Sequence, residues 1–428
     1  MRISLTIIIY DKKGVETLKE RAILVGCQTA DQPDPSFETS MEELESLAYT
    51  VDANVEEIFV QKRDKVHSAL YIGTGKVDEI KQYIDDYAID MAIMNQELTP
   101  SQARNLEEKW EIKVLDRTQL ILDIFAMRAR TKEGKLQVEL AQLQYLLPRL
   151  HGQGAALSRL GGGIGTRGPG ETKLETDQRH IRRRITEVKQ SLDQVAKQRQ
   201  QYRKRRKKNA AFQMAIVGYT NAGKSTIFNR LSDTGSLEED KLFATLDPLT
   251  RQITLPSGFE LLISDTVGFI QDLPTTLIAA FRSTLEEVVE ADFILHVVDG
   301  SNEESVEQEQ TVFKILNDLG AGDIPMLTVY NKADLLNDTL IPYSKPSVMM
   351  SAFKPSDYER LKQEIERALI SEWTYYDVRL SSDEGKMLNE LKRETIVTDE
   401  QFIEETEQFK LKGYASPDAP IYTTLTKR

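Results

Sequence analysis

The stretch GYTNAGKS at residues 218–225 constrains the fold of this chain most, because it matches the phosphate-binding pattern G-x-x-x-x-G-K-[ST]. The apolar run at 212–217 predicts a buried strand before it, and residues 226–231 predict a helix after it. In such a strand–loop–helix unit the glycines let backbone N–H groups face phosphates. Lys224 then reaches the β- and γ-phosphates, and the Ser225 hydroxyl can hold Mg²⁺. The pattern therefore predicts a nucleotide site in a P-loop α/β domain.

A second motif, DTVG at residues 265–268, follows an apolar strand pattern at 261–263. Asp265 can hold Mg²⁺ directly or through water, and the Gly268 N–H can sense the γ-phosphate. An isolated D-x-x-G is usually a turn. This one indicates a nucleotide site because it follows the phosphate-binding loop in the chain. The order of the two motifs is typical of a nucleoside triphosphatase.

The base is selected by NKAD at residues 331–334, which follows a strand pattern at 325–330. The Asp334 carboxylate accepts from both the ring N–H and the exocyclic amine of guanine, whereas adenine offers no such pair of donors. An unpaired carboxylate in a dry pocket costs roughly 1–3 kcal/mol or more. Lys332 can lay its stem over the base, and a backbone N–H at Ser351–Ala352 can donate to guanine O6. The motif predicts GTP and GDP as ligands.

Composition favours a globular protein of two to four domains, since 428 residues with 40% hydrophobic and 29% charged side chains suffice for several cores. The single cysteine, Cys27, excludes an internal disulfide and fits a reducing cytosol. No apolar stretch approaches the ~20 residues that span a bilayer. We expect a cytoplasmic monomer without stable membrane association.

Charge is distributed unevenly along the chain. Residues 128–208 carry 21 Lys and Arg against 7 Asp and Glu, although the whole chain has a net charge of −13. A basic segment inside an acidic protein predicts one face that binds a polyanion such as nucleic acid. The alternative is a solvated charged helix.

Residues 1–130 alternate strand and helix patterns, which predicts a parallel sheet covered by helices. GTGK at 73–76 looks like half a phosphate-binding loop, but it lacks the first glycine and the hydroxyl after Lys76. We interpret it as a tight turn into a helix. Residues 211–371 form the predicted P-loop domain, and residues 372–428 predict a small βαβ-like appendage.

Residues 131–210 predict a basic helical hairpin. Apolar residues recur at helical spacing in 136–150, and a second, polar helix is predicted over 172–208. Its apolar stripe can pack on the first helix as an antiparallel pair; the stripe comprises Ile181, Ile185, Val188, Leu192 and Val195. The Gly-rich run at 161–170 would form the exposed tip, where flanking Arg and Lys side chains could meet RNA phosphates. The alternative for this run is a hinge.

Six stretches together resemble the HflX family, ribosome-associated GTPases of the Obg–HflX group in the translation-factor-related class. They are residues 22–26, 73–76, 161–177, 218–226, FATLDP at 243–248 in the first switch and DTVGFI at 265–270 in the second switch. The resemblance covers nearly the whole chain and weakens after about residue 372. It implies an amino-terminal α/β domain, a helical hairpin, a P-loop GTPase domain and a variable carboxy-terminal domain, which we expect to be small and α+β. It also implies GTP hydrolysis stimulated by the large ribosomal subunit, contact with rRNA through the hairpin, and dissociation or rescue of stalled ribosomes.

The resemblance also assigns roles that spacing alone leaves open. Thr245 becomes the Mg²⁺ ligand of the first switch, with Thr250 as a neighbouring candidate. Phe269 occupies the position where Ras-like GTPases carry a water-orienting Gln, so we expect slow hydrolysis until a monovalent cation, the switches or the ribosome orders the water. In related GTPases an Asn at the position of Asn221 helps to hold K⁺ beside the phosphates. The alternative is that Asn221 only satisfies loop backbone groups.

The predicted site therefore has catalytic residues Lys224, Thr245, Gly268 and Asn221, and metal ligands Ser225, Thr245 and Asp265. The nucleotide-binding set is Gly218, Tyr219, Thr220, Asn221, Ala222, Gly223, Lys224, Ser225, Thr226, Phe243, Ala244, Thr245, Leu246, Asp247, Asp265, Gly268, Asn331, Lys332, Asp334, Ser351, Ala352 and Phe353. A different function also fits the pattern: a nucleotide-driven enzyme that remodels free RNA, with a second nucleotide site in the amino-terminal domain. The guanine-selecting motif favours the ribosomal factor.

Overall fold

The computed structural model describes residues 20–30, 32–150, 169–208, 211–232, 242–243, 245–246, 248–270, 282–336 and 341–425. The chain forms two compact units. Of the described residues, the first unit contains those up to Leu98 together with Gln102–Asp116, and the second contains Thr99–Ser101 and those from Arg117 onward. Within these ranges, no helix combines the length and apolar character that crossing a bilayer requires.

The first unit is a four-stranded parallel sheet in the order β2-β1-β3-β4. Its strands are β1 (Arg21–Thr29), β2 (Asn54–Arg63), β3 (Met91–Met94) and β4 (Lys113–Asp116). Its helices are α1 (Asp34–Thr50), α2 (Thr74–Tyr87) and all but the first two residues of α3 (Pro100–Trp110). Strand β1 is buried along almost its whole length, as expected for a central strand that helices cover on both faces. The β-α alternation in the sequence is thus confirmed as an α/β sheet.

The half P-loop pattern in this unit forms a turn into a helix. Helix α2 begins at Thr74 with Gly73 at its N-cap. The Lys76 ammonium pairs with Glu79 Oε1 at 2.8 Å and lies 5.4 Å from the centre of the Phe59 ring. Because this ammonium already has an acidic and an aromatic partner, nothing at the turn favours a second nucleotide site.

The second unit begins with three helices, α4 (Arg117–Arg128), α5 (Lys132–Arg149) and α6 (Pro169–Lys208). Thr131 caps α5 by accepting from the Gly134 N–H at 2.9 Å. The sequence patterns predict the last two of these helices. The Gly-rich run at 161–168 lies outside the described residues. Pro169 and Gly170, which we expected in the loop, are instead the first residues of α6, since proline is well tolerated at a helix start.

Helices α5 and α6 run antiparallel. Arg184 of α6 donates to both carboxylate oxygens of Glu139 at 2.6 and 2.9 Å. Further along α6, Arg199 pairs with Glu133, which lies earlier on α5. Residues later in α6 therefore pair with residues earlier in α5, as in an antiparallel pair of helices. Val188, in the middle of the predicted apolar stripe, is only 1% exposed.

The P-loop domain is built on a sheet whose described strands have the order β10-β9-β8-β5-β7-β6. They are β5 (Gln213–Gly218), β6 (Leu249–Thr254), β7 (Glu260–Asp265), β8 (Phe293–Asp299), β9 (Met326–Asn331) and β10 (Ser347–Met349). All neighbouring pairs are parallel except β6 with β7. The helices are α7 (Lys224–Leu231), α8 (Arg282–Val289), α9 (Ser305–Asp318) and α10 (Pro355–Glu372). The loops after β5, β7 and β9 leave the same edge of the sheet, which brings the motifs together.

The carboxy-terminal residues form a small α+β domain. Strands β11 (Thr374–Ser381), β12 (Ile396–Ile403) and β13 (Gln408–Ala415) lie in the order β11-β13-β12, with α11 (Gly385–Glu394) and α12 (Pro420–Leu425). Because β13 pairs antiparallel with both neighbours, β11-α11-β12 is a split βαβ unit. The strand pattern at 373–380, the helix pattern near 385–394 and the alternating run near 406–414 correspond to β11, α11 and β13, whereas no sequence pattern predicted β12.

Candidate guanine-nucleotide site

The phosphate-binding loop connects β5 to α7 as the pattern predicts. Two glycines are required by close approach and by positive φ. At Gly218 (φ 150°) a Cβ would lie 2.1 Å from Val297 O, and at Gly223 (φ 93°) a Cβ would lie 2.2 Å from Asn331 Nδ2. The loop leads into the N-terminus of the eight-residue helix α7, where free N–H groups and the helix dipole favour an anion.

Lys224 lies buried at the start of α7, where its ammonium donates to Tyr219 O at 2.6 Å. Burial lowers the pKa of Lys224 to about 8, and the Asp265 carboxylate opposes that lowering. Burial also raises the pKa of Asp265, against hydrogen bonds from Thr245 and Ser225 and the charge of Lys224. A polyphosphate beside Lys224 would supply the negative charge that this desolvated ammonium lacks.

Three oxygen-bearing side chains converge next to Lys224. Ser225 Oγ lies 2.9 Å from Thr245 Oγ1 and 2.8 Å from Asp265 Oδ2, and Thr245 Oγ1 lies 2.7 Å from the same carboxylate oxygen. The second oxygen, Asp265 Oδ1, is buried without a hydrogen-bond partner among the described residues. Two hydroxyls and a carboxylate with a spare oxygen are hard ligands of the kind that Mg²⁺ prefers, so this donor set fits the ion.

The structure distinguishes the two threonine candidates of the first switch. Thr250 lies on β6, and its hydroxyl is 2.9 Å from Ser264 Oγ. Thr245 alone of the two joins Ser225 and Asp265. The predicted neighbours Ala244 and Asp247 lie outside the described residues, whereas Leu246 is buried.

The second switch packs directly on the phosphate-binding loop. Phe269 N donates to Gly218 O at 3.1 Å, and Thr220 N donates to Phe269 O at 2.7 Å. A Cβ at Gly268 would lie 3.0 Å from Thr220 Cα in the loop backbone, so glycine permits the close approach of this segment. The Phe269 ring is only 3% exposed and has no polar atom. It therefore cannot orient an attacking water.

Asn331 joins the base-selecting loop to the phosphate-binding loop. Its side chain is 2% exposed, donates to Ala222 O and accepts from the Ala352 N–H, each at 2.9 Å. Lys332 has φ 61° and pairs with Asp299 Oδ2 at 2.7 Å. Sequence reasoning missed Asp299, although its position at the end of β8 places it at the edge of the sheet where the other motifs lie.

The predicted base-contacting groups lie on the outer side of this scaffold. Asp334 is exposed on a short 3₁₀ turn (Ala333–Leu335), and a hydrogen bond from Ser351 holds its pKa below the ordinary value. The Asp334 carboxylate is therefore ionised and available as an acceptor at neutral pH. Ser351 and Ala352 are buried in the adjoining loop, and Phe353 beside them is 69% exposed.

The other predicted residues of the phosphate side also lie together. A pocket beside the loop is lined by Thr220, Asn221, Gly223, Lys224, Ser225, Thr226, Phe243, Thr245, Thr266 and Gly268. Asn221 is exposed with φ 60°. Its side chain makes no hydrogen bond to the described part of the loop.

A mostly parallel sheet with this loop, a convergent hydroxyl–carboxylate set and a guanine-selecting loop defines a P-loop GTPase. Three family descriptions match the chain: "GTP-binding GTPase N-terminal" over residues 38–126, "GTP-binding GTPase Middle Region" over 128–206 and "50S ribosome-binding GTPase" over 213–332. The chain belongs to the HflX family of GTPases, which hydrolyse GTP.

The chain is similar to many proteins named "GTPase HflX", among them the following three. The protein of Alkalihalophilus pseudofirmus is 55% identical over 96% of this chain and 97% of its own length. That of Caldanaerobacter subterraneus subsp. tengcongensis is 49% identical over 90% of this chain and 89% of its own length. The Escherichia coli protein is 41% identical over 86% of this chain and 87% of its own length.

Proposed function

We propose that this GTPase is a cytoplasmic factor that binds the large ribosomal subunit in its GTP form and dissociates or rescues stalled ribosomes. The observation that carries the proposal is the free positive charge of α6 in the same compact unit as the nucleotide site. Arg179, Arg182, Lys189 and Lys197 are exposed and form no ion pair within the described ranges. Unpaired cations along one helix suit a polyanion such as rRNA.

The nucleotide is bound by the loop at residues 218–225, by Asn331–Asp334 and by the Ser351–Ala352 loop. Ser225, Thr245 and Asp265 would hold Mg²⁺, which would neutralise negative charge on the nucleotide's phosphates. Lys224 contributes a fixed positive charge there, and the Gly268 N–H meets the γ-phosphate. These groups act by positioning and electrostatics, which dominate catalysis of phosphoryl transfer.

Hydrolysis is slow in the isolated protein because Phe269 cannot order the attacking water. We infer that the ribosome supplies this ordering and that K⁺ contributes beside Asn221. The exposed side chain of Asn221, free of the described loop backbone, supports a ligand role. Single-turnover assays should show a large increase with ribosomes and a smaller advantage of K⁺ over Na⁺ that Asn221→Ala removes. Fast hydrolysis without ribosomes would contradict the proposed role of the ribosome in ordering the water. Equal rates in K⁺ and Na⁺ would contradict only the proposed role of K⁺.

The ribosome proposal is tested by pelleting with 50S subunits and 70S ribosomes, in a nonhydrolysable GTP analogue and in GDP. Neutralising Arg179, Arg182, Lys189 and Lys197 to Gln should weaken pelleting and flatten its salt dependence, because each lost phosphate contact removes about one unit from the logarithmic salt slope. Binding of the nucleotide should stay unchanged.

The matched control removes four exposed lysines elsewhere: Lys65, Lys109, Lys113 and Lys386. It lowers the net charge equally, so an equal loss of pelleting would indicate nonspecific electrostatics rather than the α6 surface. Wild-type pelleting by the α6 variant would reject this surface as the ribosome contact. The split of 70S into subunits is followed in the same samples by sucrose-gradient sedimentation.

A further inference from the structure

Phe125 on α4 lies outside the six-stranded sheet, yet its ring contacts the first switch. Its side chain is fully buried, and its ring centroid lies 4.7 Å from that of Phe243 with an interplanar angle of 78°. Edge-to-face geometry is a favoured arrangement for aromatic pairs. Both rings belong to the second compact unit. A residue far from the nucleotide motifs in sequence thus touches the segment that carries Thr245.

The backbone of Phe243 needs support from its surroundings. Its φ is 55°, in the left-handed region that bulky side chains rarely occupy. Such a conformation persists where the surrounding structure over-determines it. The Phe243 ring is 3% exposed, and the neighbouring Leu242 and Leu246 are each 7% exposed. Packing against Phe125 is therefore part of what holds this conformation.

We propose that Phe125 is a positioning residue that holds the first switch in the arrangement that binds Mg²⁺ and GTP. Thr245 follows Phe243 by two residues, and its Oγ1 lies 2.7 Å from Asp265 Oδ2. The inference rests on the proposed function, since it takes Thr245 as a Mg²⁺ ligand. First switches of GTPases are ordered by contacts with the γ-phosphate and Mg²⁺ and are released after hydrolysis. The Phe125 contact therefore favours GTP over GDP, and by reciprocity GTP strengthens the packing of α4.

The test replaces Phe125 by Leu, which keeps most of the apolar volume but removes the ring edge. Titrations measure the dissociation constants of a nonhydrolysable GTP analogue and of GDP, each over a Mg²⁺ series. We expect the constant for the analogue to rise about two- to tenfold, as an aromatic pair of this strength implies, and that for GDP to stay unchanged. The Mg²⁺ midpoint with the analogue should rise as well. Phe243→Leu should have the same effect, and the double variant should add little to either single one.

The matched control is Phe259→Leu. Phe259 is another buried ring of the second unit, edge-to-face with Phe212 and Trp373, and lies just before β7, whose far end carries Asp265. The Phe259→Leu substitution should leave the ratio of the affinities for the GTP analogue and for GDP unchanged. Equal weakening of analogue and GDP by Phe125→Leu, or no change in either, would overturn the inference. If Phe125→Leu does not fold, Phe243→Leu, on the other side of the same contact, gives the deciding ratio.

Thr245→Ala separates this inference from the proposed function. If Thr245→Ala leaves the Mg²⁺ dependence at wild type, the metal site is wrong whatever Phe125→Leu does. If Thr245→Ala weakens Mg²⁺-dependent binding while Phe125→Leu and Phe243→Leu behave like wild type, only the positioning role fails.

Discussion

Asn331 gives the strongest single test of how the nucleotide site is held together. Its buried amide bonds Ala222 O and the Ala352 N–H at 2.9 Å each, so it connects the phosphate-binding loop to the loop predicted to contact guanine O6. Asn331→Ala removes both bonds and leaves a donor and an acceptor without partners. We expect both nucleotide affinity and domain stability to fall.

The magnitude follows from the two lost bonds. Leaving one buried polar group unpaired costs about 1–3 kcal/mol. Near the low end of that range, each of the two groups contributes about 1–1.5 kcal/mol. The sum is about 2–3 kcal/mol, which corresponds to a roughly 30- to 150-fold rise in the dissociation constant if the whole cost falls on the bound state. If part of this cost already destabilises the nucleotide-free protein, that part lowers its free energy of unfolding and does not weaken nucleotide binding.

The assay pairs titration of a fluorescent GTP analogue with urea unfolding of the nucleotide-free protein. Asn95→Ala is the matched control, since Asn95 is also a buried asparagine at the end of a parallel strand and bonds Ser40 at 3.0 Å, but in the first unit. It should leave the affinity for nucleotide unchanged. If Asn331→Ala keeps the affinity within twofold and unfolds at the wild-type urea concentration, the amide does not connect the two loops as argued.

Three further predictions concern single side chains. Lys224→Ala should abolish tight GTP binding in the same titration, since no other described cation occupies the buried end of the loop; retained affinity would reject the phosphate site. Asp334→Asn exchanges an acceptor for a donor and should shift preference from GTP to xanthosine triphosphate, measured by competition. Burial, helped by the charge of Lys224, lowers the pKa of His296 to about 3, so between pH 6.5 and 3 the unfolded chain binds the extra proton and stability falls as the pH falls. From pH 7.5 to 5.0 the wild type should lose about 2 kcal/mol more unfolding free energy than His296→Leu, and equal losses would refute the shift.

The nucleotide loops could be predicted from the sequence because the residues that define each loop lie close together in the chain. A strand, a glycine that permits close approach and a polar side chain at the strand end lie within a few residues of each other. The loop at residues 218–225 therefore joins a strand to a helix, and Asp265 and Asn331 end strands, as the local patterns predict. Thr245 has no such local pattern, and only the family resemblance singled it out from Thr250.

Helix α4 was not predicted, for a physical reason. Its segment LILDIFAM is apolar on nearly all sides, so it has no helical period that separates a buried face from an exposed one. Strand β12 was missed for the opposite reason. It lies at the edge of its sheet and carries several exposed polar residues, so its apolar pattern is weak.

The supporting contacts were beyond prediction because they join residues that are distant in the chain. Phe125 and Phe243 meet only after α4 has packed with the P-loop domain, and Asn331 reaches Ala222 only across the completed sheet. No local pattern marks either member of such a pair. The motifs thus indicate which chemistry the loops can perform, whereas the energetic link from nucleotide to helices depends on non-local packing. If Phe125 links the first switch to α4 as proposed, the helical region can respond to GTP through a residue that touches neither the nucleotide nor the metal.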